Sequence, residues 1–383
     1  MEIKVYETIA KVNADDLENF RDILYSKGIY EFAESEKTEK VAPKYFLGYE
    51  KGKAIAFAPA YIQEGPYLFD PFAYLKGRLR DSLGKLGLKI KRIMCVNTPL
   101  RPRSDIKILN PFMKARLMPI MLNAMHEEAK KMNCNAVIFP SMLESNEELQ
   151  KLLVKNGYIR AFHDVYFYME TGFSTYDNFL KSLKKIRRDN LKYDATVIAK
   201  YGIKIDEITD INQFAAEYAA LHKAVMKKYG HDESELDEKS FRSIYEHIGN
   251  TSSLVARKDG ETLGFTLNIY DKECCHALRC GQFHEKAEHM GVYFNLVYNE
   301  TIKKAISLGC MKVDYGQAMH RAKIMRGCKY EKMYLYAKFF NPLTHNLMKI
   351  KIKRLGKGYY DSFQKEIKSK PGDNAAISAK EAK

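Results

Sequence analysis

Phe294, Val297, Tyr298, Thr301, Ile302, Ala305 and Ile306 recur three and four residues apart, and Gly309 follows them. That spacing puts one stripe on an α-helix over about 291–308, and glycine is a usual left-handed stop. Before it, His276-Ala277-Leu278-Arg279-Cys280-Gly281-Gln282-Phe283 has the pattern of a strand, and Met311-Lys312-Val313-Asp314-Tyr315 after it has that of a second. Strand, helix and strand in that order predict a right-handed crossover between parallel strands, with open main chain and ligand space at their carboxyl ends.

Elsewhere the pattern predicts a helix over 10–28, from Asp15, Leu17, Phe20, Ile23 and Leu24, closed by Gly28. A hairpin follows, from Tyr45 to Tyr61 around the turn Glu50-Lys51-Gly52-Lys53. Prolines 66, 71, 99, 102 and 111 break residues 65–116, where only a strand at Arg92 to Asn97 stands out. Ile120, Met121, Ala124, Ala129 and Met132 mark a helix from Leu117, and Ala136-Val137-Ile138-Phe139 a buried strand. Leu149, Leu152 and Leu153 mark another helix, ending at Asn156-Gly157 before the aromatic strand Val165-Tyr166-Phe167-Tyr168. A basic helix is expected from Phe179 to Leu191, then helices from Phe214 to Lys228 and from Phe241 to Ile248. A hairpin from Ser253 to Tyr270, turning at Lys258-Asp259-Gly260-Glu261, leads back to His276.

The two halves repeat. Phe46 to Phe57 matches Leu254 to Phe265 in pattern, and Asn133-Cys134 before its strand matches Gly309-Cys310 before the other. Lys155-Asn156-Gly157-Tyr158 before an aromatic strand echoes Arg326-Gly327-Cys328-Lys329-Tyr330. A spacing this long means two copies of one domain rather than a solenoid, with two unrelated α/β segments as the plainer alternative.

Composition narrows the partners. At 383 residues the chain exceeds what one core usually supports. Lys+Arg 63 against Asp+Glu 48 leaves +15, which favours an anionic partner such as a phosphate-bearing cofactor, RNA or a negative membrane face, or is simply a solvated basic surface. The seven cysteines show neither metal-ligand spacing nor a disulfide framework, so no metal and no disulfides are expected. Acidic residues where a signal peptide would be apolar, and the lack of any run near the roughly 18 apolar residues of a membrane span, predict a cytoplasmic protein with no membrane span.

Helices, an antiparallel meander, a strand-helix-strand crossover and a final strand, given twice over about 40–340, resemble the tandem GNAT-type fold of Fem-type peptidoglycan-bridge transferases and related predicted N-acyltransferases. The most specific stretches are Lys184-Lys185-Ile186-Arg187-Arg188 and Gly316-Gln317-Ala318-Met319-His320-Arg321-Ala322-Lys323-Ile324-Met325-Arg326-Gly327. Relatives carry a similar glycine, glutamine, lysine and arginine-glycine succession. The resemblance implies an α/β (α+β) fold of two tandem GNAT-like domains, each a mixed, mostly antiparallel sheet flanked by helices. Its expected limits are 1–170 and a catalytic 171–345, followed by a basic segment 346–368 and a disordered Ala/Lys/Ser-rich tail 369–383. The implied activity is an acyltransferase that forms an amide on a small-molecule or peptide amine, with acyl-CoA, or an acyl carrier protein thioester, as donor. Aminoacyl-tRNA, the donor of Fem-type enzymes, is the alternative, and a non-catalytic RNA-binding or scaffold protein is the third reading. The Arg/Gln-x-x-Gly-x-Gly/Ala turn of coenzyme A sites is reduced here to Glu288-His289-Met290-Gly291-Val292-Tyr293.

Amide formation needs a neutral amine, a carbonyl held beside it and donors aimed at the developing oxyanion. On the expected strands, Asp314 is a candidate base, or the group that orients one, or the partner of a nearby Lys or Arg. Tyr315 is a candidate proton donor or a packed strand tyrosine. His284 and His320 have suitable intrinsic acidity, or are loop histidines, and Cys280 is a candidate for an acyl intermediate or a small apolar filler. Arg279, Lys323 and Arg326 suit phosphate or carboxylate, or form a solvated basic face. The resemblance adds Gln317 to the donor site, Gly291 at a helix N-terminus directed at phosphate, and Tyr293 as a wall of the acyl pocket or part of the core. The basic segment Lys181 to Arg188 is read either as exposed or as a seat for an RNA backbone or coenzyme phosphate.

Overall fold

The structure is a computed structural model that describes residues 1–36, 41–64, 90–228, 230, 236–287 and 289–368. Much of the proline-broken stretch, Glu288 of the reduced turn and the tail 369–383 lie outside the described residues. Strand β1 (Glu2–Tyr6) runs antiparallel to β2 (Val41–Glu50), Glu2 opposite Tyr49 and Tyr6 opposite Tyr45. Between them the single helix expected over 10–28 is instead α1 (Ala14–Glu18) and α2 (Lys27–Ser35), with Gly28 inside the second. The reason is local: Asn13 Oδ1 accepts from Asp15 N and Asp22 Oδ1 from Leu24 N, so each polar side chain restarts the chain instead of continuing it.

The first hairpin is β2 with β3 (Lys53–Glu64), and β4 (Arg92–Val96) and the short β5 (Lys107–Ile108) both pair with β3. Helix α3 (Lys114–Lys131) then crosses over to β6 (Ala136–Leu143), which lies parallel to β4 from Ile93–Ala136 to Cys95–Ile138. Its Leu117, Met118, Met121, Leu122, Met125 and Ala129 are buried at three- and four-residue spacing, against Phe46, Ala58, Met94 and Phe139. At roughly 1.5–3 kcal/mol for each large side chain taken out of water, this face holds the helix to the sheet. Helix α4 (Glu147–Lys155) leads to β7 (Ile159–Glu170).

The second run begins with α5 (Tyr176–Ser182) and α6 (Lys185–Lys200) where one basic helix over Phe179–Leu191 was expected. Leu183 and Lys184, with ψ of 149° and 145°, are extended and break it, and Ile186 is 64% exposed, so the apolar spacing across the break was accidental. Strand β8 (Lys204–Ile208), α7 (Ala215–Lys228) and α8 (Glu238–His247) precede the meander β9 (Thr251–Lys258), β10 (Glu261–Tyr270) and β11 (Cys274–Gln282). After the one-turn α9 (His284–Ala287), the crossover helix is α10 (Val292–Phe294), a π-helical stretch Asn295–Glu300 and α11 (Thr301–Ser307). Strand β12 (Lys312–Gly316), α12 (His320–Met325), β13 (Lys329–Phe339) and α13 (Pro342–Lys368) complete the described chain.

The chain divides into two compact units that interleave in sequence: 1–165 with 331–363, and 166–330 with 364–383. In the first, the strand order is β1-β2-β3-β4-β6-β13, and β13 runs antiparallel to β6 from Phe339–Ala136 to Met333–Leu143. In the second it is β7-β12-β11-β10-β9-β8, and the end of β7 runs antiparallel to β12, Glu170 opposite Lys312 and Phe167 opposite Gly316. Each unit therefore repeats one plan, a hairpin followed by a strand-helix-strand crossover. Each closes that plan with the strand that follows the other crossover in sequence.

Gly281 shows how tightly the second unit is packed. A Cβ there would meet the Leu221 carbonyl carbon at 2.6 Å and His222 N at 2.7 Å, both backbone atoms of α7, whereas a Cβ on Gly249 would meet nothing within 4 Å. Backbone cannot move aside as a side-chain tip can, so Gly281→Ala should destabilise the protein by about 1–3 kcal/mol. Gly249→Ala should be close to neutral, and chemical denaturation of the two variants side by side checks the difference.

Candidate active site

The site starts where two strands part. β11 and β12 pair in parallel only at Cys274–Lys312, Cys275–Val313 and His276–Asp314, after which β11 runs on to Gln282 beside β10 while β12 turns away at Gly316. The last rung is fixed by two fully buried side chains: His276 Nδ1 lies 2.6 Å from Asp314 Oδ2. The other carboxylate oxygen accepts from Gly316 N at 2.6 Å. Asp314 thus holds the turn that takes β12 out of register with β11.

Beyond it, Gly316, Ala318 and Met319 all adopt left-handed backbone, with φ of 61°, 61° and 52°. For the two non-glycine residues that geometry costs of order 1–3 kcal/mol each and persists only if the surroundings impose it. Lys323 imposes it. Its buried Nζ donates to the carbonyls of Tyr315 (2.8 Å), Gly316 (3.2 Å) and Gln317, and lies 5.2 Å from the centre of the Phe167 ring.

Within the second unit, the space beside this turn is a cavity of about 910 Å³. One wall is the start of the crossover helix, Gly291 to Phe294, and another is α6 through Asn190, Tyr193, Asp194 and Val197. Gly291 has φ 68°, and Asn295 N returns to its carbonyl at 3.0 Å. The helix then widens to its π-helical stretch, where Thr301 Oγ1 donates to Leu296 O five residues back and Asn299 bridges Asn295 Oδ1 and Leu191 O. Such widening is frequent at functional sites. It ties the helix wall to α6.

Two side-chain pairs shape the cavity lining. The Arg326 guanidinium reaches Asp194 through Nε (3.0 Å) and Nη2 (3.3 Å) and stacks on Phe294, 3.6 Å from the ring centre. Burial pushes the Asp194 carboxyl up, and Arg326 works against that shift without cancelling it. The Glu366 carboxylate, on the last turn of α13, lies 2.6 Å from His320 Nδ1 and accepts from Arg321 N at 3.4 Å. At the far side, Lys228 Nζ (3.0 Å) and Gln282 Nε2 (2.9 Å) both point at His284 Nδ1. Both are donors, so Nδ1 accepts and the ring proton sits on Nε2. Burial first, and Lys228 next, lower the His284 pKa.

Of the residues singled out from sequence, His284, Gly291, Tyr293 and Arg326 line this one cavity. The other seven, Cys280 among them, are not among its lining residues. Asp314 is consumed by His276 and Gly316, and Lys323 by three carbonyls, so neither presents a free group to a ligand. Tyr315 is buried against Tyr298, ring centres 5.0 Å apart, and burial holds its hydroxyl well above the ordinary tyrosine range, keeping it protonated. Arg279 Nη1 donates to Leu278 O, Gln317 contributes a carbonyl to Lys323, and His320 is spent on Glu366 over the Phe167 ring. Sequence reasoning did not single out Asp194, Lys228, His276 or Glu366. For Asp194 and Glu366 no signal existed, since their partners lie 132 and 46 residues away; for His276, a histidine on the strand beside the one that carries Asp314 was the available hint.

A sheet with a hairpin, a parallel crossover that splays and a helix directed into the opening is the acyltransferase-type GNAT plan, here present twice. The FemAB-like family, described as peptidoglycan biosynthesis/recognition, matches residues 33–368, and the chain belongs to it. Among solved structures it is similar to FemX, with 11% identity, a TM-score of 0.65, and coverage of 91% of this chain and 100% of that one. It is also similar to a tandem GNAT protein from the clavulanic acid biosynthesis pathway (11% identity, TM-score 0.52, 89% of this chain and 99% of that one). L-PGS from Bacillus licheniformis shares the fold as well (12% identity, TM-score 0.52, 89% and 98%). No curated protein sequence matches the chain. The protein is accordingly a transferase of the tandem GNAT-like, Fem-type class.

The arrangement at His284 sets a pH dependence. Because its folded-state pKa lies below the ordinary value, the fold prefers the neutral ring. Its contribution is present above the unfolded pKa of about 6.5 and is lost progressively as pH falls below it. Lys228→Met removes the adjacent cation and should move the His284 pKa upward, reducing that acid-side loss. A proton NMR titration of the imidazole C–H resonances reads the shift directly, and an unchanged value would rule out the Lys228 contact.

Proposed function

We propose that this protein forms an amide by transferring an aminoacyl group from aminoacyl-tRNA to a peptide amine of the peptidoglycan-precursor type, with the donor end in the second-unit cavity. The observation that carries this reading is the end of β11–β12 pairing at His276–Asp314, beside the cavity into which the crossover helix directs its first turn. Past that rung, the edge of β11 facing β12 has main-chain groups that no strand partner takes up, and such groups can receive a carbonyl oxygen. The amine nitrogen attacks the ester carbon, the C–N bond forms, the ester C–O bond breaks, and the proton shed by the amine ends on the ribose hydroxyl that leaves. His284, with its proton on Nε2, acts as a hydrogen-bond donor toward the reacting oxygen rather than as a base. Lys228 and Arg321 line the same space and can meet the phosphates of a carrier, while Arg326 is held by Asp194.

The crossover start favours tRNA over a coenzyme. Only one glycine remains in the turn, and a Cβ built on it would lie 3.4 Å from Val197 Cγ1 and 3.8 Å from the Asp194 carbonyl oxygen. Those are ordinary packing distances, so what favours tRNA is the turn's own sequence, which begins with an acid and keeps one glycine where a coenzyme pyrophosphate turn has Arg or Gln and two small residues. Acyl-CoA is the second reading, favoured by the strand splay itself, which is the geometry of GNAT-type acyl-CoA sites. A tRNA-dependent reaction places the protein in the cytoplasm, and among the described residues no helix is long and apolar enough to cross a membrane.

Purified protein incubated with labelled acetyl-CoA, longer acyl-CoAs and charged tRNA should bind charged tRNA saturably and transfer its aminoacyl group to a peptide amine. Tyr293→Ala and Arg321→Met should each lower kcat/KM for charged tRNA by roughly tenfold or more, the loss of one phosphate or wall contact. Saturable binding of an acyl-CoA alone would overturn the tRNA reading.

A further inference from the structure

Helix α13 carries a second apolar face that is exposed among the described residues. Inside the first unit it buries Thr344, Met348, Ile352 and Gly356, every fourth residue, and Gly356 is where it lies against β7: a Cβ there would meet Ala161 Cβ at 2.7 Å and Phe162 backbone at 3.0 Å. At 3.6 residues per turn the opposite side of the helix carries Leu343, Leu347 and Ile350, then Arg354 and Lys357. The three aliphatic side chains are 58%, 44% and 57% exposed. Lys351 lies on one flank of that stripe and Lys349 and Lys353 on the other, and no Asp or Glu occurs between Asn341 and Tyr360.

We propose that this face of α13 binds an anionic lipid membrane surface, with Leu343, Leu347 and Ile350 entering the headgroup region and the lysines and Arg354 meeting lipid phosphates. An interfacial helix has this composition: a narrow apolar strip, basic residues on its borders and low overall hydrophobicity. Charge decides between the other occupants. A second copy docking through the same face would bring a second set of cations and, with no Asp or Glu between Asn341 and Tyr360, no carboxylate to pair with them. An RNA backbone would match the cations but leave three large aliphatic side chains unburied at the centre of the contact. The inference is independent of the donor and of the reaction proposed above.

The test is flotation of the full-length protein with vesicles rich in phosphatidylglycerol and with vesicles of phosphatidylcholine alone. Binding is expected to the anionic vesicles only, weakening as salt is raised. The pair Leu347→Ser and Ile350→Ser should reduce it by roughly tenfold or more. The set Lys353→Gln, Arg354→Gln and Lys357→Gln should do the same, with circular dichroism and thermal unfolding unchanged because these side chains are exposed. Absence of binding to anionic vesicles would overturn the proposal, as would binding that survives the Leu347 and Ile350 changes. So would a concentration-dependent dimer, or tRNA binding, lost through the same substitutions while vesicle binding persists.

Discussion

The second unit depends on one buried contact, the 2.6 Å hydrogen bond between His276 and Asp314 on adjacent parallel strands. Neither side chain reaches water; His276 Nε2 has no hydrogen-bond partner among the described residues, while a carboxylate buried in this way needs its remaining polar capacity met. Asp314 meets it by accepting from Gly316 N, which fixes the first left-handed residue of the turn; Lys323 then gathers the carbonyls of Tyr315, Gly316 and Gln317. The carboxylate is thus both the end of the ladder and the start of the turn. Remove it and β12 has no reason to leave β11 at that residue, and the cavity has no fixed edge.

The same economy runs through the cavity lining. Arg326 is stacked on Phe294 and bound to Asp194, and His320 is bound to Glu366, so several groups with the right chemistry for an anionic ligand are spent on holding α6, α12 and the last turn of α13 in place. Lys228 and Arg321 line the space together with the carboxylates of Asp194, Glu285 and Glu366. Residues that hold the fold and residues that line the cavity are interleaved along Gly316 to Gly327, which is why one basic stretch looks uniform in sequence and divides in space.

Much of the architecture was legible in the residues. The period-2 runs at 45–61 and 253–270 are the hairpins, the crossovers fall where 3.6-residue spacing put them, and the doubled pattern is present in both units. What was not legible was set by distant partners. β7 and β13 have equivalent aromatic patterns, so nothing local says that β13 pairs with β6 and the end of β7 with β12. Leu180, Leu183 and Ile186 mimic a helix face across a break, and the π-helical stretch arises from Thr301 Oγ1 on Leu296 O, a bond no apolar periodicity records. Asp314 was read as a candidate base and Lys323 as a binder of phosphate or carboxylate, and a sequence does not show that the partner of each is the fold itself. His284, Gly291, Tyr293 and Arg326 do meet at one cavity, because three of them sit on or beside the helix whose position the pattern fixed.

The central claim is that the donor enters the opening between β11 and β12 in the second unit. Hydrogen exchange of the full chain, with and without a non-hydrolysable amide-linked aminoacyl-tRNA, tests it most directly. The account predicts slowed exchange over 277–294 and 316–326, with the rest of the protein little changed. Slowed exchange confined to 1–165, with the β11 and β12 segments unaffected, would contradict it.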